Sequence, residues 1–95
     1  MDVNKKNAFA AADKAQREID YLEGLKADLS EANTKFDIAW AIDMFDASAH
    51  KTVYAEQRTK AEAQQLKADY LKRISDEIDG YSKLIDYCAG VLTNR

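Results

Sequence analysis

Ninety-five residues, 46% of them hydrophobic and 33% charged, suffice for one domain and are too apolar for a disordered chain. No apolar run approaches the ~20 residues of a membrane span. A net charge of -3, with acids and bases interleaved, argues against a nucleic-acid surface, and the single Cys88 leaves no internal disulfide, which points to a reducing, cytoplasmic setting.

The chain contains no proline, three glycines and sixteen alanines, so little interrupts a helix. Near the start, the stretch Ala8 to Asp13 is too short and alanine-rich for a signal peptide. Apolar residues then recur in steps of four and three: Ala8, Ala12, Ala15, Ile19, Leu22, Leu25, Leu29, Ala32, Phe36 and Ala39. This is the period of an amphipathic helix with a coiled-coil-like seam. A second series runs Leu66, Tyr70, Ile74, Ile78, Tyr81, Ile85, Cys88 and Leu92. Opposite charges one turn apart, such as Asp69 with Arg73 and Asp79 with Lys83, mark its solvated face.

Two places compete for the turn between these series. Asp46-Ala47-Ser48-Ala49-His50 offers Asp and Ser as caps, and a turn there makes two long antiparallel helices, 4–46 and 50–93. Facing positions then sum to about 96, which sets Leu22 against Ile74, Leu25 against Leu71 and Ala8 against Cys88. The rival lies at Ser30–Thr34, where Thr34-x-x-Asp37 resembles a capping box. The expected fold is therefore all-α: a long antiparallel helical hairpin spanning residues 1–95, assembling as a dimeric four-helix bundle or coiled coil. The alternative is a three-helix bundle.

Residues 36–45 fit the hairpin poorly. Phe36, Trp40 and Met44 continue the seam of Leu22 and Leu29, whereas Ile38, Ile42 and Phe45 point the other way. The facing chain at Glu56, Gln57 and Lys60 is polar. Burying a large apolar side chain is worth ~1.5–3 kcal/mol, so several left wet call for a cover. That cover is a second copy of the chain, a foreign protein, or, with the turn at Ser30–Thr34, the chain's own core. The expected partner interface is Phe36, Ile38, Trp40, Ala41, Ile42 and Phe45.

Reaction chemistry is not evident. His50 has only Asp46 one turn away, short of the three or four ligands of a zinc site, so no metal is expected. Cys88 sits on the apolar face and lacks a neighbouring base. No glycine-rich loop offers a phosphate cradle, and the carboxylates have bases or solvent beside them. The expectation is a non-enzymatic protein with no cofactor and no small-molecule substrate, binding neither nucleic acid nor membrane.

Length near one hundred, a helical hairpin and a tryptophan near the turn resemble the WXG100 proteins exported by type VII secretion systems. The resemblance covers architecture and not motifs. Trp40-Ala41-Ile42 lacks the family's glycine, and Tyr81 and Tyr87 are followed four residues later by Ile85 and Val91 where the export signal has an acid. The functional expectation is a protein–protein interaction module, of a size suited to a small inhibitor or adaptor such as a phage-encoded inhibitor of a host enzyme or defence complex. It would act through itself as a homodimer or through another protein. The alternative is a structural or secretion-linked hairpin.

Overall fold

The computed structural model describes residues 3–46 and 59–93. These form three α-helices and no strand: α1 (Val3–Glu31), α2 (Lys35–Phe45) and α3 (Lys60–Thr93). The all-α class agrees with the sequence reading, but the helix boundaries do not. The helix expected to run unbroken over 4–46 stops at Glu31, and residues 32–34 lead into a separate α2.

Local chemistry explains the break. Thr34 leaves the helical region (φ -94°, ψ 158°), and its Oγ1 accepts a hydrogen bond from the Asp37 backbone N–H at 3.0 Å. Asp37 adds an acid to the first turn of α2, where the helix dipole favours it. The last turn of α1 tightens as the Ala32 N–H donates to the Leu29 carbonyl at 3.2 Å. From α3, the Lys67 ammonium donates to the Ser30 and Ala32 carbonyls, both at 2.9 Å. Acceptors that a helix end leaves open are thus satisfied by a neighbouring helix.

At the end of α2, Asp46 is a C-cap: its N–H donates to the Ile42 carbonyl at 2.8 Å. The sequence offers Asp46 as a cap at the expected turn, and the structure makes it the cap that ends α2. His50 and the rest of the expected turn at 46–50 lie outside the described residues, as does the first part of the helix expected over 50–93. Thr59 and Glu62 open α3 with a reciprocal capping box. The Thr59 Oγ1 accepts from the Glu62 N–H, and the Glu62 Oε1 accepts from the Thr59 N–H, both at 3.2 Å.

α1 and α3 are antiparallel in the register the sequence suggests. Lys67 meets Ser30 at one end, and at the other Ala8 and Ala11 border the same depression as Cys88 and Val91. α2 folds back along this pair, antiparallel to α1, and covers only the half nearer the break. Leu22, Leu25 and Leu29 of α1, Ile38, Ala41 and Ile42 of α2, and Ala63, Tyr70 and Ile74 of α3 make one buried cluster. The molecule is a rod of 56 × 19 × 16 Å, and among the described residues three helices pack at one end and two at the other.

The sequence pattern Asp-Tyr at positions 20–21, 69–70 and 86–87 yields two environments. Tyr70 is buried, edge-on to Phe45 (centroids 6.0 Å apart, planes at 84°), with the Arg73 guanidinium 4.9 Å from its ring centre. Its hydroxyl donates to Asp46 Oδ2 at 3.4 Å, so Tyr70 pins the end of α2 to α3. Tyr21 and Tyr87 stay exposed.

Candidate protein-interaction surface

The six residues expected at a partner interface separate into two groups once α2 folds back. Ile38, Ala41 and Ile42 are buried in the chain's own core, and Phe45 is half-buried against Tyr70. Ile38 and Ile42 are covered by α1 and α3, whereas Ala41 and Phe45 each still border a surface depression. Phe36 and Trp40 do face solvent, 62% and 51% exposed, and Met44 one turn further on is 45% exposed. The sequence reading had the two stripes of this segment inverted. The stripe taken as a continuation of the α1 seam is the outer one, and the stripe taken as orphaned is the inner one.

Helix geometry makes the outer group a ridge. Phe36, Trp40 and Met44 are spaced by four and stack along one side of α2, over roughly 12 Å of helix axis. Between this ridge and α1 runs a shallow groove bordered by Asp28, Glu31 and Asp37, with Ala32 and Ala41 at its floor and Trp40 along one wall. Where α2 ends, the Tyr21 hydroxyl donates to the Met44 carbonyl at 3.2 Å, tying α1 to α2. An aromatic wall with carboxylates on its rim favours a partner that brings apolar side chains and positive charge together.

The carboxylates of this groove are exposed, and its lining holds no nucleophile beside a base. Among the described residues, no group of three or more His, Cys, Asp and Glu is placed to hold a metal ion. No helix of the described residues is long and apolar enough to cross a membrane. Cys88 is buried as a thiol. The chain matches no family model, no curated protein and no solved structure. Trp40 stands in the middle of α2 and not beside a hairpin turn, which removes a main point of likeness to the WXG100 architecture.

Met44 was missing from the sequence-derived site although it shares the stripe of Phe36 and Trp40. The i, i+4, i+8 spacing was a sufficient signal for it. Asp28 and Glu31 could not be found that way, because they join the groove only when α2 turns back along α1.

Proposed function

We propose that this protein is a non-enzymatic interaction module that binds another protein through the outer ridge of α2. The observation that supports this is the division of one eleven-residue helix. Its inner face is sealed in the core while Phe36, Trp40 and Met44 remain in water on the other side. Single exposed apolar residues are common, but an aligned Phe, Trp and Met beside an acidic rim has the composition of an interface anchor. The partner is a basic segment with apolar residues on one face, seated in the groove between α1 and α2. A cytoplasmic inhibitor or adaptor role suits such a surface, since occupancy alone performs the function.

Photo-crosslinking tests this. Benzoyl-phenylalanine introduced at Phe36 or Met44 should capture a discrete foreign protein in native cells, and the same group at exposed Asp79 should not. Trp40→Glu should abolish the adduct while the far-UV spectrum is unchanged. Identical adducts from position 79, or none from the ridge, would remove the proposal.

A further inference from the structure

The three helices are not held with equal strength. α2 has eleven residues, against 29 in α1 and 34 in α3. A helix of that length is marginal on its own in water, so α2 is ordered by what it packs against. Among the described residues, Ile38 and Ile42 anchor it in the core, and Phe45 meets Tyr70 edge-on. Two hydroxyls fasten its far end: Tyr21 donates to the Met44 carbonyl at 3.2 Å, and Tyr70 to Asp46 Oδ2 at 3.4 Å. Two isoleucines, part of a phenylalanine and two hydroxyl bonds offset the ordering entropy of eleven residues only narrowly.

α1 and α3 depend on α2 far less. They run antiparallel along the whole rod, and Ala8, Ala15 and Cys88 are buried in the half that α2 does not cover. There, among the described residues, the two helices bury each other's side chains without a third. The chain also allows a separation, because residues 32–34 join α1 to α2 outside either helix.

We infer that α2 is a latch, which undocks and unfolds as one unit while α1 and α3 stay paired.

The opening has a consequence for the surface. The groove between Asp28 and Glu31 of α1 and Asp37 and Trp40 of α2 exists only while α2 is docked. Opening therefore dismantles that groove and bares Leu25, Leu29, Tyr70 and Ile74 on the other two helices. The latch acts as a switch between an acidic, aromatic surface and an apolar one. Its movement is measured on the protein alone, so it stands or falls separately from what the groove binds.

Native-state hydrogen exchange of the full chain at rising, sub-denaturing urea gives the test. Amides of residues 38–45 should exchange together, about tenfold or more faster than those of Leu22–Leu29 and Tyr70–Ile74. Their urea dependence should be shallower, because the opening exposes less surface than global unfolding does. Tyr21→Phe or Tyr70→Phe removes one fastening of α2 and should speed its amides about two- to tenfold. Ala15 is buried outside the cluster that α2 joins. Ala15→Gly weakens α1 whether α2 is docked or open, so it should speed the α1 and α3 amides and leave those of α2 unchanged. An α2 set that exchanges no faster than the other helices overturns the inference. So does an α2 set that Ala15→Gly accelerates as much as the rest, since α2 would then open only with the whole fold.

Discussion

Ile42 and Trp40 lie two residues apart on α2 and should respond to truncation in opposite ways. Ile42 has no exposed surface and sits in the cluster with Leu22, Leu25, Tyr70 and Ile74. Ile42→Ala removes three carbons at ~0.8 kcal/mol each and leaves a cavity that rigid helices fill only in part, for a loss of about 2.5–4 kcal/mol. A domain of this length has a total stability of roughly 5–14 kcal/mol, so the change is a large fraction of it. Trp40 is half in solvent, and its removal opens no enclosed space; Trp40→Ala should cost about 1 kcal/mol or less. Urea unfolding followed by far-UV circular dichroism measures both, with an unchanged slope confirming that the unfolded states are comparable. Were Ile42→Ala to cost under about 1 kcal/mol and Trp40→Ala over about 2, the inner and outer faces of α2 would be exchanged. The unbroken hairpin would then describe the chain better, and the proposed ridge would be lost with the fold that displays it.

Smaller perturbations follow from the helix ends. Thr34→Ala and Thr59→Ala should each lower stability by about 1 kcal/mol in the same titration, with Thr59 the larger because Glu62 reciprocates its bond. Lys67→Met keeps the aliphatic stem but deletes both bonds to the end of α1, at a cost of about 1–3 kcal/mol, while Lys67→Arg should recover part of it. Gly24 is exposed within α1, and a Cβ there meets nothing within 4 Å; Gly24→Ala should raise stability by roughly 0.5–1 kcal/mol by thermal or urea unfolding. Because an acidic rim surrounds Trp40, a bound basic partner should dissociate more readily at 0.5 M than at 0.05 M salt, read from the emission of this single tryptophan.

Pairing of the first and last helices was legible in the sequence because it rests on long periodic series. Two positions that sum to about 96 face each other whether the intervening chain is a continuation of helix or a third helix, so Ala8 approaches Cys88 in either fold. The position of the break was less legible. Thr34-x-x-Asp37 is a short local signal, and it competed with Asp46 and Ser48, which look equally good as caps. What decided the matter is tertiary: Lys67, thirty-five residues beyond Ala32, closes the carbonyls that the break exposes. The capping box of Thr59 and Glu62 was readable and would have set the start of α3 among the described residues at Lys60. Of the site, Phe36 and Trp40 were found for an incomplete reason. The segment was recognised as having two apolar stripes, but which one faces water depends on the direction in which α2 folds.

That direction follows from a comparison of costs. A straight helix through residue 46 would leave Ile38 and Ile42 in water and Phe45 at most partly covered, forfeiting ~1.5–3 kcal/mol for each isoleucine. Breaking at 32–34 forgoes a few helical hydrogen bonds worth about 1 kcal/mol each net, and Thr34 and Lys67 replace several of them. The break wins because the apolar face it buries is larger than the backbone bonding it disturbs.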